Sequence, residues 1–475
     1  MDATKSIKMN IFMNILLTMS SFIFQFLSFP YVSRVLLPEG TGKISFATSL
    51  VSYFVLFSQL GIPTYGVVAC AKVRNNKIEL SRTVHELLFL NCVITAIVYF
   101  IYLILVLSVP KLKADKILYF VSGLTIILNT LGIEWLYRAL EEYAYITIRS
   151  VIFKLIAIIL LFLFINSPDD YIGYMAVCVF ATNMSQVFNL FYTRKKICIS
   201  YLGQYNIKKH LKSVLIFFLM SCATTVYTHL DSVMLGFLKT DSIVGYYNAA
   251  TKIKSFLVAI VTSLGTVLLP RATHYIKSGQ LTEFNKMSKD ALTSVFVFGS
   301  SFTLFSIIFS EHIILLLSGE QYIPSIVPMK VIMPTVLFIG LTNILGIQML
   351  VPLGREEVVL KSEILGAIIN VLVNSLLIPQ YDAVGAAIGT LFAELAVLIV
   401  QMISLRDQIL EVCRDFPVFK FIAIILIGGK ISSFIKVFDL KVIFTLLGGG
   451  ILYFGIIGIY MFCYLTREKR GKVET

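Results

Sequence analysis

Charge is what this chain has least of. Only 14% of its 475 residues are Asp, Glu, Lys or Arg, against about 25% in a soluble domain. That shortage excludes an ordinary water-facing surface. Cysteine is sparse and scattered, at 70, 92, 178, 198, 222, 413 and 463, with no CxxC pair. The spacing excludes a disulfide framework and a thiolate metal site. The five histidines form no cluster, and Trp135 is the one tryptophan. No GxxxxGK[ST] stretch occurs, which excludes a phosphate loop of that kind. Neither metal nor cofactor is expected. No loop is long enough to fold as a soluble domain, which argues against an enzyme that keeps its chemistry outside the membrane.

What the chain does have is apolar length. Hydrophobic residues make up 57% of it, and the mean hydropathy is +0.87. A helix needs about 20 apolar residues to cross the hydrocarbon core. That ruler predicts an all-α polytopic membrane protein with fourteen spans: 10–33, 44–69, 87–108, 116–137, 149–166, 171–192, 211–237, 242–269, 291–318, 323–350, 359–380, 383–405, 418–436 and 441–465. The apolar run after Lys5 and Lys8 ends without a small-x-small cleavage site, so it reads as a retained first span. With both termini in the cytoplasm, 28 Lys and Arg residues fall inside and 9 outside. Lys5, Arg414 and Lys472 are among the inner set. The bias follows the positive-inside rule. It also accounts for the net charge of +13 without nucleic acid as a partner.

The second half echoes the first. Residues 36–61 read LLPEGTGKISFATSLVSYFVLFSQLG, and residues 238–265 read LKTDSIVGYYNAATKIKSFLVAIVTSLG. Gly42 aligns with Gly245, and Ala47-Thr48 with Ala250-Thr251. The offset of 203 to 204 residues predicts two parallel six-helix repeats plus two C-terminal helices. The expected lobes are 1–210 and 211–417, followed by 418–475 as two extra helices and a cytoplasmic tail. In transporters built this way the substrate site lies near the midplane between the repeats, and access alternates as they rock.

Five stretches in order carry a family likeness: RVLLPEGTGKISFA (34–47), LGIPTYGVVACAKVRNN (60–76), GIEWLYRALEEYAYITIRS (132–150), DSVMLGFLKTDSIVGYYNAATKIK (231–254) and LLPRATH (268–274). On these the whole chain resembles the polysaccharide flippases. Those are the Wzx-type O-antigen and capsule repeat-unit transporters of the multidrug/oligosaccharidyl-lipid/polysaccharide exporter superfamily. The resemblance implies transfer of an undecaprenyl-diphosphate-linked oligosaccharide from the cytoplasmic to the outer leaflet of a bacterial inner membrane. It further implies alternating access coupled to protons or sodium ions, without ATP. The implied partners are that lipid-linked substrate, membrane lipids, and the polymerase and chain-length proteins of the pathway.

Charged residues inside spans cost roughly 2.5–3.5 kcal/mol each on insertion scales, and mark functional or paired sites. Lys252 and Lys254 lie about ten residues into their span, ~15 Å down the axis. Both are candidates for holding the diphosphate, Lys252 first because it follows the YNAATK repeat motif. Lys252 either faces the cavity or pairs with Asp231, whose buried carboxylate is a candidate proton carrier. Lys330, Glu394, Asn370 and Asn374 complete the cavity candidates. The asparagines suit sugar hydroxyls, and equally suit gluing helices together. Glu134 and Arg138 are four apart and share a helix face. With Lys154 they are read as an inner gate or a salt bridge anchoring the span, and Arg34 marks the outer end of span 1. Trp135 is expected at the interface as an aromatic anchor. Pro30, Pro63 and Pro270 mark kinks or span ends. His85, His210 and His274 sit in cytoplasmic loops with no recognisable partner.

Two other functions compete. A cation-coupled multidrug extruder of the same superfamily would favour carboxylates in its cavity, and many proton-coupled members use an Asp in span 1. Residues 10–33 contain no acid. A membrane glycan polymerase or acyltransferase would need a convergent acid/base or nucleophile set, which is not evident.

Overall fold

The computed structural model describes residues 7–198, 200, 203, 205–412, 417–438 and 440–471. Lys5, Arg414 and Lys472 lie outside them. Every regular element among the described residues is helical. Such a chain satisfies its backbone within each segment, as lipid requires. Nine of the described helices are long and apolar enough to cross a membrane, or ten if the pair Glu320–Ile332 and Pro334–Leu350, bent by 42°, forms one span. Large apolar side chains stand open on their outer faces, among them Phe100, Phe191 and Phe419 at 65%, 66% and 87% exposure. Facing water, that much apolar surface would drive association; facing lipid, it costs nothing.

Two compact units divide the chain at Gly245 and Tyr246. The first holds α1 (Ile7–Gln59), α2 (Ile62–Val73), α3 (Lys77–Ser108), α4 (Pro110–Ala114), α5 (Lys116–Leu131), α6 (Glu134–Ala139), α7 (Tyr143–Phe164), α8 (Tyr171–Val179), α9 (Ser185–Thr193) and α10 (Lys208–Leu238). A π-helical stretch, Phe180–Met184, joins α8 to α9. α11 (Asp241–Lys277) carries the chain into the second unit. There α12 (Leu281–Ile308), α13 (Ser310–Leu317), α14 (Ile326–Ile332), α15 (Pro334–Thr342), α16 (Glu356–Ser404), α17 (Arg406–Val412), α18 (Val418–Ser433) and α19 (Val442–Gly471) follow. A second π stretch, Asn343–Leu350, extends α15.

α1 runs through the first expected span and into the second, and α16 runs through 359–380 and 383–405, each with a break inside. In α1 the break is Leu37 (φ 59, ψ 177). It precedes Pro38, whose ring disfavours the helical region for the residue before it. In α16 it is Asp382 (φ 52, ψ −130), three residues after Pro379. α1 and α2 separate at Leu60 and Gly61, both left-handed (φ 43 and 74).

Cores form where helices meet in each unit. In the first, Ile62, Cys70, Val84, Leu87, Trp135, Leu136 and Val214 make one buried cluster. Trp135 is 4% exposed, not an interfacial anchor as expected. The left-handed Ile133 (φ 43) restarts the helix in a new direction, and Gly66 leaves the slot that the indole fills, since a Cβ there would lie 2.7 Å from the ring. In the second unit, Val297, Phe421, Ile425, Tyr453 and Ile457 dock α18 and α19 onto α12.

A network, a carboxylate strap and a polar seam

The first unit gathers charge around Glu134. Ile133 starts α6 with Glu134 in its first turn. Glu134 Oε1 accepts from Arg138 Nη2 at 2.7 Å and Nε at 3.1 Å. Its Oε2 accepts from Arg149 Nη2 at 3.3 Å. Arg149, on α7, is 7% exposed. It also donates to the Asn189 side-chain oxygen, while the Asn189 amide donates to the Gly132 carbonyl. Tyr137 seals the far side, its hydroxyl donating to the Asn189 carbonyl at 2.7 Å. So Arg149 links α6, α7 and α9 through one chain from a half-buried carboxylate to a buried guanidinium and amide. Lys154 is five residues further along α7 and faces elsewhere, since five residues turn a helix by about 140°. Its ammonium donates to Ser20 and Ser21 of α1, at 3.0 and 2.6 Å.

A fully buried carboxylate elsewhere in this unit had no signal in the sequence. The Glu86 side chain on α3 is fully buried. Its Oε2 lies 2.7 Å from Lys209 Nζ and 2.8 Å from His210 Nε2, and its Oε1 accepts the Asn206 backbone N–H at 2.7 Å. His210 Nδ1 meets the Tyr65 hydroxyl at 2.8 Å. This strap ties α2, α3 and the start of α10. His85, next to Glu86, meets the Tyr205 hydroxyl at 3.0 Å. Two of the three histidines that lacked partners in sequence, His85 and His210, are therefore engaged. Beyond α9, Lys196 is bound to Glu142. Burial pulls its pKa down, but the carboxylate outweighs this and holds it above the ordinary lysine value.

Lys43 and Lys111 of this unit are paired. Lys43 lies 3.3 Å from Glu39 and 3.5 Å from Asp115. Lys111 lies 3.5 Å from Asp241 and donates to the Lys239 carbonyl at 2.9 Å. Arg34 is exposed and donates to the Pro30 carbonyl at 2.7 Å. Asp231 on α10 is 6% exposed and lies within electrostatic reach of Tyr53.

In the second unit Lys252 and Lys254 are each half-buried on α11, on either side of the buried Ile253. Lys330 is exposed on α14 and feels the charge of Lys436. The two halves of α16 meet in a polar seam. Asn374 Nδ2 donates to Asn370 Oδ1 at 3.0 Å. A Cβ at Gly389 would lie 2.0 Å from Asn374 Oδ1, so any larger residue there would displace the Asn374 amide. Thr390 follows Gly389, and Glu394, 5% exposed, lies one turn on from Thr390 on the same face. Tyr247 on α11 closes the seam, its hydroxyl 3.0 Å from Thr390 Oγ1. Three of the cavity candidates, Asn370, Asn374 and Glu394, thus belong to one buried seam. Thr390 and Tyr247 join it, though nothing in their local sequence marks them.

The profile of the family described as "Polysaccharide biosynthesis protein" matches residues 7–276, and the MatE profile matches residues 217–376. An Escherichia coli (strain K12) protein named "Putative O-antigen transporter" is 22% identical over 400 residues, 83% of this chain and 95% of its own. A Shigella dysenteriae protein of the same name is 25% identical over 411 residues, covering 84% and 100%. Among solved structures, the lipid II flippase MurJ in an inward closed conformation matches at TM-score 0.69 and 15% identity, over 95% of this chain and 100% of that one. An inward-facing multidrug resistance MATE family transporter of the MOP superfamily matches at TM-score 0.64 and 14% identity, over 84% and 96%. At these identities the two structures establish the helical fold and nothing finer.

Proposed function

Because this chain belongs to the polysaccharide biosynthesis protein family, whose profile spans more than half of it, we propose that it is a flippase for a lipid-linked oligosaccharide. It moves an undecaprenyl-diphosphate-linked repeat unit from the cytoplasmic to the outer leaflet of the bacterial inner membrane, with both termini in the cytoplasm. The observation that carries the reading is coverage. Two relatives named as O-antigen transporters match 83% and 84% of the chain, and nearly the whole of their own length.

The chemistry of the residues supports it. A diphosphate entering a low-dielectric interior needs cations, and charge-assisted hydrogen bonds to phosphate oxygens are the strong ones. Lys252, Lys254 and Lys330 are the cations we assign to that role. We assign the driving force to an ion gradient, in keeping with a sequence that has no GxxxxGK[ST] loop. Asp231 and the Asn370–Asn374–Glu394 seam are the groups we assign to carry or sense the ion. The Glu134–Arg138–Arg149 network works as the inner gate. A guanidinium shared between a carboxylate and an amide can exchange partners without ever standing unpaired, which keeps the switching cost low. The parallel repeats supply the rocking elements.

The test is reconstitution in liposomes carrying a diphosphate-linked oligosaccharide in one leaflet, with a sugar-specific probe on the other side. The parent chain is expected to deliver the glycan across. A Lys252→Ala, Lys254→Ala double variant is expected to lose most of that activity. Delivery by both would move the diphosphate site elsewhere; delivery by neither would overturn the reading.

A further inference from the structure

A cavity of about 460 Å³ opens inside the first unit, within the roughly 300–1,000 Å³ range of small-molecule sites. Its polar lining is hydroxyl and amide: Thr48, Ser52 and Gln59 from α1, Thr125 and Asn129 from α5, and Thr182 from the π stretch. Among the described residues that line it, none is Asp, Glu, Lys, Arg or His. The charged candidates all lie elsewhere.

Two features of the backbone point to the same place. The π stretch carrying Thr182 interrupts the helix from α8 to α9, and such bulges recur at functional sites. Gly61, at the left-handed break between α1 and α2, also lines the cavity. Irregular backbone at membrane depth survives where it lines a cavity or is packed by protein. In transporters, broken helices frame the substrate site. Two lining groups have capacity to spare. Among the described residues, the Thr48 hydroxyl and the Asn129 side-chain NH₂ have no protein partner; Asn129 only accepts, from Gln186 at 3.4 Å.

This lining suits one chemical class. An ion placed here would lose its water without meeting a counter-charge. A neutral sugar offers hydroxyls that donate and accept, matching Thr, Ser, Gln and Asn. Its C–H faces suit the apolar remainder, such as Val51, Val55 and Met175. Resting on the flippase reading, we propose that this cavity holds uncharged sugar residues of the transported glycan.

Cys178 lines the cavity and supplies the test. The full-length chain, with its other six cysteines replaced by Ser, is treated with a small uncharged maleimide. The alkylation rate of Cys178 is followed with maltotriose, with N,N′,N″-triacetylchitotriose, or with anionic sialyllactose. At least one neutral trisaccharide is expected to slow alkylation severalfold with a saturable dose response, and sialyllactose is expected not to. Thr48→Val and Asn129→Leu, each leaving the melting temperature near the parent's, are expected to raise the half-protecting concentration about three- to tenfold, the worth of one hydrogen bond. Protection by neither neutral sugar overturns the proposal, whether or not the same preparation moves lipid-linked oligosaccharide. Equal protection by sialyllactose overturns it too, as does a Cys178 that never reacts. Protection without translocation leaves the sugar site standing and removes the flippase reading on which its role rests.

Discussion

The two glycines aligned by the repeat, Gly42 and Gly245, face each other, and their replacement tests how tightly α1 and α11 are held there. A Cβ on Gly42 would lie 1.7 Å from the Asp241 carbonyl oxygen and 2.9 Å from Gly245 N; one on Gly245 would lie 2.0 Å from the Pro38 carbonyl oxygen. All three neighbours are backbone, so no side chain can rotate away, and ordinary contact at 3.4–4 Å requires the segments to part. Overpacking of this kind costs up to about 3 kcal/mol. Alanine regains about 1 kcal/mol over glycine in a helix, leaving a net loss of about 2 kcal/mol. Gly455 and Gly458, with nothing within 4 Å, are the controls, and Ala there is expected to be neutral or stabilising. The assay is unfolding of the purified full chain in detergent, by heat and by a graded denaturant. Gly42→Ala and Gly245→Ala are each expected to lower stability. The double variant is expected to lose less than the sum, because both substitutions part the same contact. A Gly42→Ala chain as stable as Gly455→Ala would refute the close approach.

Three other expectations follow from the buried polar groups. Arg149→Met takes a partner from Asn189 and one from Glu134, which keeps Arg138; it is expected to cost about 1–3 kcal/mol, as an orphaned buried acceptor does, read by the same unfolding assay. Glu86→Gln keeps the shape but removes the charge facing Lys209 and His210, and is expected to lower stability by about 1–3 kcal/mol. The same change should free residues 205–210, measured by faster amide exchange there. Gly389→Ala drives a methyl into Asn374, and is expected to impair translocation more than Asn374→Ala does; equal transport by Gly389→Ala and the parent would show that the α16 seam is dispensable.

How legible this was depended on distance along the chain. Glu134 and Arg138 pair because they are four residues apart, and that spacing is visible in the sequence. Asn370 and Asn374 met for the same reason. Glu86 and His210 are 124 residues apart, so neither periodicity nor composition could join them. Arg149 counted only as one more cytoplasmic charge, because its carboxylate comes from another helix. Thr390 was silent since a threonine in an apolar helix is ordinary; only Gly389 and the returning chain give it meaning. Breaks followed the same rule. Pro38 announces the strained residue before it, whereas Asp382 lies three residues past Pro379 and has no local mark. Trp135 misled because interfacial statistics describe the average tryptophan, not one facing a glycine slot.

The most direct measurement sets the two transport functions of this fold against each other. Proteoliposomes of the full chain receive, in separate arms, a diphosphate-linked oligosaccharide in the inner leaflet and a fluorescent organic cation in the lumen, each under an imposed proton or sodium gradient. The flippase account expects the glycan to appear outside in a protein-dependent way and the cation to stay within. Extrusion of the cation with no movement of any lipid-linked glycan would contradict it.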